Sequence, residues 1–463
     1  MHERKRNMEK KDNSFLGTQP IGKLMMSLAI PTVTAQLINM LYNIVDRIYI
    51  GHIENVGSLA LTGVGVCMPL IMIVSAFSCF AAFGGAPRTS IYLGQNDQDS
   101  AQKTLNNCFV LQIIISVTLS VFLFLFNRPL IMAFGGSVDT IQFAVDYMNI
   151  YSIGTLFVQL TLGMNAFITC QGFAKTGMLS VLIGALTNIV LDPILIFGLG
   201  LGVKGAAYAT IISQAVSTVW VLMFLMGKKT TIRLNLFDMK LSKRYLGPVL
   251  ALGISNFIMQ SSESIISICF NASLQSYGGD LAVGAMTILT SVMQFAMLPL
   301  SGFGQGAQPI ISYNYGARNG QRVKQAFSLL FKINTIFATV LWLVIELVPS
   351  VFARMFSPDP VLIEFTQSAL RIYMGAVLLM GPLMACQITF TSLGKAKQSI
   401  MVAVTRKFIL LIPLIYILPS VLPIDKTTSV YLAEPVADVL AVTFTLVLFS
   451  KVFKQTLKQI SEA

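Results

Sequence analysis

Charge is scarce in this chain: Asp, Glu, Lys and Arg make up 11% of its 463 residues, while 55% are hydrophobic. An ordinary soluble domain carries about 25% charged residues. So little charge cannot cover a surface facing water, and a soluble globular protein is excluded. Histidine is nearly missing. Only His2, in the terminal segment, and His52, at a loop edge, are present, so a histidine proton relay inside an apolar segment is excluded as well. The six cysteines (Cys67, Cys79, Cys108, Cys170, Cys269 and Cys386) lie in apolar runs without metal-ligand spacing. They read as small buried side chains, with neither a disulfide framework nor zinc implied. No metal constellation or activated nucleophile stands out, so the chain does not read as an enzyme, and no cofactor is expected. No signal peptide is read either. Residues 1–13 are charged, and the run from Leu24 to Ile50 is too long and has no small-residue cleavage site.

What the chain does have is apolar runs of about 20 residues, the length that crosses the hydrocarbon core of a bilayer as a helix. The expected fold is an all-α polytopic membrane protein with twelve spans. They fall near 24–50, 58–86, 104–126, 140–168, 178–198, 204–226, 246–271, 281–309, 327–348, 361–390, 399–419 and 430–450. Basic residues then gather on alternate connections. Arg4, Lys5, Arg6, Lys10, Lys11 and Lys23 precede the first span, with Arg88 and Lys103 between spans 2 and 3 and Lys175 between 4 and 5. Lys228, Lys229, Arg233, Lys240, Lys243 and Arg244 lie between spans 6 and 7; Arg318, Arg322 and Lys324 follow span 8. Lys395 and Lys397 follow span 10, and Lys451, Lys454 and Lys458 close the chain. The positive-inside bias puts both termini in the cytoplasm. The net charge of +12 is thus a topology signal, and nucleic acid is not an expected partner.

The chain also repeats itself. TCQGFAKTG at 169–177 recurs as TSLGKAKQS at 391–399, an offset of 222. The same offset aligns Pro87, Ser90 and Gly94 with Pro309, Ser312 and Gly316, and Ile150, Tyr151 and Leu156 with Ile372, Tyr373 and Leu378. Shared apolar composition would not hold one offset across several spans, so the sequence reads as an internal duplication. Six spans per copy is an even number, so both copies enter the membrane in the same sense and form a parallel repeat. The expected divisions are a tail at 1–23, an N-lobe at 24–227, a linker at 228–245, a C-lobe at 246–450 and a tail at 451–463. Two six-helix bundles facing one another leave a cleft that can open to either side, as a transporter requires.

Ionisable residues at membrane depth are costly and mark functional sites. Asp46 in span 1, Asp192 in span 5 and Glu263 in span 7 stand out. Asp46 and Asp192 both fall in the outer halves of spans running outward. Asn188 lies four residues before Asp192 and Asn43 three before Asp46, so each pair shares a helix face. Span 6 brings Tyr208 and Thr210 to similar depth. Adjacent buried carboxylates oppose each other's ionisation, which suits such a cluster to a proton or a hard cation. Blander alternatives exist: an interfacial pair of Asp46 with Arg47, or Asp192 satisfied at the break made by Pro193. Glu434 and Asp438 are read as residues that could face only an outer vestibule. Lys407 is read as able to snorkel, and Arg406 as the inward-facing counter-ion candidate. Pro31 interrupts the interior of span 1 and is a candidate hinge.

The chain resembles the multidrug and toxic compound extrusion (MATE) family, in particular its MepA-like, DinF-related branch. The likeness rests on LAIPTVTAQLINMLYNIVDRIYIG in span 1, GGAPRTSIYLGQND after span 2 and TNIVLDP in span 5. GAAYATIISQ in span 6, QPIISYNYGARN after span 8 and AEPVADVLA in span 12 extend it over essentially the whole chain. The resemblance implies twelve helices in two lobes, a V-shaped central cavity, and export of cationic, lipophilic compounds driven by inward H⁺ or Na⁺. It also implies an ion-coupling set at Asp46, Asn165, Asn188, Asp192 and Thr210, with Pro31 as the span-1 proline. Glu263 matches an acidic span-7 position, but the second carboxylate expected in span 10 is missing, since no Asp or Glu lies between Ile372 and Lys395. Tyr373 alone does not make a cation site. Glu263, Asn43, Tyr208 and Tyr373 are therefore expected to line a substrate cavity, with coupling through the N-lobe pair in a monomer. The alternative function is a flippase for lipid-linked or polysaccharide substrates, which would need a more cationic cavity.

Overall fold

In lipid every backbone N–H and C=O must be paired within its own segment, so apolar runs of this length have little choice but to be helical. The computed structural model describes residues 13–236, 238–356 and 358–462, and the described residues are helical nearly throughout. Spans 1–6 are Ile21–Gly51, Gly57–Gly94, Gln98–Ala133, Ile141–Thr169, Ala174–Gly198 and Val203–Met226. A 74-residue stretch, Lys243–Gly316, follows. As one helix it would measure about 110 Å, against a hydrocarbon core of about 30 Å. Gly279 divides it, with φ 62° and ψ −157°, backbone angles that a side chain would oppose. Spans 7 and 8 are its two arms. Span 9 is Gly320–Leu347, span 11 Ala396–Val421 and span 12 Lys426–Glu462. Span 10 is broken: Pro360–Tyr373 and Val377–Ser392 meet at 43°. Twelve spans result, and an even number returns both ends of the chain to one side.

The duplication is visible in three dimensions. The turn after span 2 places Asn96 at φ 60° and caps span 3 with Asp97, which accepts from Ser100 N at 3.0 Å. The turn after span 8 places Arg318 at φ 56° and caps span 9 with Asn319, accepting from Arg322 N at 3.1 Å. Ser90 Oγ donates to the Cys170 carbonyl at 2.9 Å, and its counterpart Ser312 donates to Ser392 at 2.8 Å. The two nonapeptides are the span 4–5 and span 10–11 turns, in which Gly172 (φ 90°) and Gly394 (φ 70°) take the left-handed conformation.

Several boundaries differ from expectation. Arg88 and Lys103 lie inside helices rather than in a loop, because spans 2 and 3 continue as helix up to a short turn at 95–97. The basic residues from Arg4 to Lys11, and His2, lie outside the described residues. The segment at 13–19 is anchored to both lobes. Asn13 Oδ1 accepts from Thr231 Oγ1 at 2.6 Å, while the Leu16 carbonyl accepts from Asn314 Nδ2 at 3.0 Å and Arg322 Nη2 at 3.3 Å. The final segment is no loose tail either: span 12 continues as helix to Glu462, with Phe453 and Thr456 buried. The linker is pinned to the N-lobe. Gln171 Oε1 accepts from Thr231 N at 2.9 Å, and Asn107 Oδ1 accepts from Ser242 N at 2.7 Å.

The lobes meet closely on the side of the termini. Gly94 in span 2 and its repeat mate Gly316 in span 8 cross so tightly that a methyl group on either would overlap the other span's backbone carbonyl. Gly84 packs against the Val249 carbonyl, and its mate Gly306 packs against Ala29. Thr32 Oγ1 donates across the interface to the Gly302 carbonyl at 2.7 Å. Phe257 of span 7 stacks on Phe80 of span 2 at 5.3 Å between centroids. These contacts run from mid-span to the termini side and form a floor under the space between the lobes.

Candidate functional site

Two polar constellations lie at membrane depth, one in each lobe. In the N-lobe, Asp192 and Asn188 sit on one face of span 5 and are 0% and 1% exposed, and Asp46 of span 1 is 9% exposed. The Asp46 and Asp192 carboxyl groups are close enough to feel each other's charge. Asn188 Nδ2 donates to Asp192 Oδ1 at 3.3 Å. Asp46 Oδ1, Asp192 Oδ2 and Asn188 Oδ1 are buried without any protein partner. An unpaired buried polar atom costs about 1–3 kcal/mol, and bare carboxylates at this range repel. A shared proton or a small cation is what this oxygen set fits. Among the described residues no ion pair joins Asp46 to Arg47, which is exposed.

Sequence reasoning missed the phenols around this pair. Tyr42 and Tyr147 both neighbour Asp46, with Gln214 beside Tyr42 and Thr210 beside Tyr147. Tyr42 could have been found, because it stands four residues before Asp46 on the same face, as Gln214 stands four after Thr210. Tyr147 had no such signal. Thr210 thus stands next to Tyr147, a neighbour of Asp46. Tyr208 does not: two residues away on a helix is nearly the opposite face, and Tyr208 is 41% exposed on the outside of span 6.

Asn165 is not brought to the pair. Its Nδ2 donates to the Gly177 carbonyl at 3.3 Å, near the start of span 5, and Asp192 lies fifteen residues further along, about 22 Å. The C-lobe repeats the arrangement, with Gln387 Nε2 donating to the Ser399 carbonyl at 3.2 Å. Both contacts bind the two helices of a hairpin near its turn. Pro31 lies inside a helix that runs unbroken through Ile21–Gly51, between the two points, Ala29 and Val33, where span 1 rests on span 8.

In the C-lobe a cavity of about 320 Å³ opens between spans 7, 8, 10, 11 and 12, with Cys79 and Phe83 of span 2 at its edge. Six methionines line it, together with Phe270 and Tyr373, whose rings meet edge to face at 5.9 Å. Glu263 and Tyr373 are in its wall as expected; Asn43 is not. Asn43 Nδ2 bonds its own helix at the Asn39 carbonyl, 2.6 Å away in the N-lobe. The Glu263 side chain is 55% open, and it lines this cavity. Lys407 Nζ donates to its Oε1 at 2.7 Å. Arg406 Nε donates to Asp438 Oδ1 at 2.8 Å and its Nη2 to Glu434 Oε1 at 2.9 Å.

Three expectations are corrected here. Glu434 and Asp438 do not face a vestibule: they are 4% and 1% exposed because Arg406 holds both. Lys407 does not snorkel, since its side chain is 5% exposed and turned inward. The cause is local. Residues Thr405–Leu411 form a π-turn, which widens the helix and lets two consecutive basic residues both point into the bundle. Arg406 takes the counter-ion place expected of it.

Two six-span lobes, a floor closed on one side, and, among the described residues, an acid pair without a basic partner in the N-lobe define a membrane carrier. The comparisons with known proteins agree. The sequence profile of the MatE family matches residues 31–194 and 254–417, two copies whose starts lie 223 residues apart. The chain belongs to the MATE family, whose members are transporters rather than enzymes. It is 26% identical over 423 residues to the multidrug export protein MepA of Staphylococcus haemolyticus, covering 91% of this chain and 92% of that one. It is 24% identical over 367 residues to the MepA of Staphylococcus aureus N315, covering 79% and 80%. A solved structure of a MATE protein in the bent conformation matches at TM-score 0.90 and 23% identity over 97% of this chain and 99% of that one. An outward-facing multidrug resistance MATE family transporter matches at 0.88, with the same identity and coverage. Both share the twelve-helix, two-lobed fold.

Proposed function

We propose that this protein is a secondary antiporter that exports cationic, lipophilic compounds across a bacterial cytoplasmic membrane in exchange for inward-moving H⁺ or Na⁺. The observation that carries this reading is the Asp46–Asp192 pair with its orphaned oxygens. With both termini in the cytoplasm, the glycine-packed floor lies inside and the present state faces outward. In that state the pair takes up the coupling ion: one proton held in common, or a sodium ion against Asp46 Oδ1, Asp192 Oδ2 and Asn188 Oδ1. Ion uptake releases the substrate. The reorientated carrier then loses the ion to the cytoplasm and loads again.

The ion site and the cavity lie in different lobes, so something must join them. Span 1 does so. It carries Asp46 near one end and rests on span 8 through Ala29, Thr32 and Val33 near the other. Pro31 removes one ladder hydrogen bond between those contacts, which makes this the soft point of the helix. The polarizable, aromatic cavity wall suits bulky apolar cations, and the MepA relatives carry the name of multidrug export proteins. The flippase alternative needs a cationic wall for pyrophosphate, whereas Arg406 and Lys407 are both already paired with carboxylates. Asp46→Asn or Asp192→Asn should abolish gradient-driven efflux of ethidium from vesicles. Unchanged efflux in both would sink the coupling role. Proton and sodium gradients imposed separately on reconstituted protein identify the ion.

A further inference from the structure

We infer that Lys407 is the residue that fixes how many positive charges a ligand of the C-lobe cavity must carry. The inference rests on the reading of that cavity as the substrate site and goes one step beyond it. The cavity wall and the shell behind it hold a closed set of five charges: Glu263, Glu434 and Asp438 against Arg406 and Lys407. Their formal sum is one negative charge. Arg406 is divided between two buried carboxylates, whereas Lys407 serves Glu263.

Glu263 is the one of the three carboxylates that opens widely into the cavity, and it is not bare. Lys407 reaches it from behind, with its own side chain 5% exposed. A ligand therefore meets a neutral pair backed by one unbalanced negative charge. In a cavity walled by methionine, leucine, isoleucine and phenylalanine side chains, the field of that charge is poorly screened. A single positive charge on the ligand completes the count. A second finds no partner and still loses its hydration. A neutral ligand leaves the surplus unanswered. The amides of Asn256, Gln260, Gln305, Gln308 and Gln387 complete the polar wall without changing the sum.

Ethidium and propidium test this, because they share one ring system and carry one and two positive charges. Their binding to purified full-length protein in detergent is measured by fluorescence polarization, with thermal unfolding of every variant as the check on folding. Wild type is expected to favour ethidium. Lys407→Met raises the surplus to two and should shift the ethidium-to-propidium affinity ratio at least tenfold towards propidium. Glu263→Gln removes the surplus and should weaken ethidium at least tenfold. The double variant restores the count of one and should bring the ethidium preference back to within a few-fold of wild type; Lys407→Arg should leave the ratio unmoved. If Lys407→Met does not fold, Lys407→Gln, which removes the same charge but keeps a polar end, replaces it in the single and the double variant. A ratio constant within twofold across the folded variants overturns the assignment, as does equal wild-type affinity for the two dyes. Wild-type protein that binds neither dye would instead overturn the substrate-cavity reading itself.

Discussion

Replacing Arg406 by Gln separates two consequences of one side chain. The guanidinium binds Asp438 at 2.8 Å and Glu434 at 2.9 Å, and all three side chains are 10% exposed or less. Glutamine fills much of the same space but leaves two carboxylates buried side by side. Removing one partner of a buried ion pair costs about 3–5 kcal/mol, chiefly because the remaining charge is left uncompensated. At about 2–4 °C per kcal/mol, reduced somewhat for a chain of this length, unfolding in detergent should begin about 5–15 °C lower. The scan rate must be held constant, because unfolding of such a protein is kinetically controlled. Adding Glu434→Gln and Asp438→Asn to Arg406→Gln should recover most of the loss, since neutral groups of similar shape carry no unpaired charge. Lys204→Gln is the control. Its pair with Asp146 is 3.5 Å long and open to solvent, worth about 0–1 kcal/mol at most. An Arg406→Gln protein that unfolds within about 1 °C of wild type, or a triple variant worse than the single one, would refute the reasoning.

Other outcomes follow from the same geometry. Asn188→Ala, which takes an oxygen from the acid pair, should impair ion-coupled efflux, whereas Asn165→Ala should lower thermal stability by about 1 kcal/mol and leave coupling intact; equal coupling defects in both would place Asn165 in the site after all. Gly94→Val or Gly316→Val should prevent the floor from closing, read as increased labelling of a cysteine placed at Ser301 by a reagent added from the cytoplasmic side; labelling equal to that of the unsubstituted background would contradict the role of these crossings. Arg322→Gln releases the Gln19 carbonyl and leaves the Leu16 carbonyl to Asn314 alone, so protease should reach the 13–19 segment faster while ethidium binding is unchanged; cleavage at the wild-type rate would count against the anchor.

Much of the architecture was legible because lipid leaves few options. Apolar length set the spans, and one offset of 222 exposed the duplication that Ser90 and Ser312 now show as paired hydrogen bonds. Asp46, Asn188, Asp192 and Thr210 were found because charge at membrane depth is rare and helix spacing shows which residues share a face. Asn165, expected from the family resemblance alone, instead ties a hairpin near its turn about 22 Å from Asp192, and Tyr208, expected from its depth, lies on the opposite face from Thr210.

The sequence alone therefore determined the number of spans, their parity, the two-lobed repeat and the rarity that marks the carboxylates. Tertiary structure decided which charges meet. Asp46 finds Asp192 across 146 residues of chain, and Arg406 divides itself between Glu434 and Asp438. A π-turn in span 11 turns Lys407 inward to Glu263, where a regular helix would have sent it elsewhere. Hydrophobicity is a property of each segment and survives in any arrangement. Pairing depends on the rotation and depth of one helix against another, and these exist only once the helices have packed.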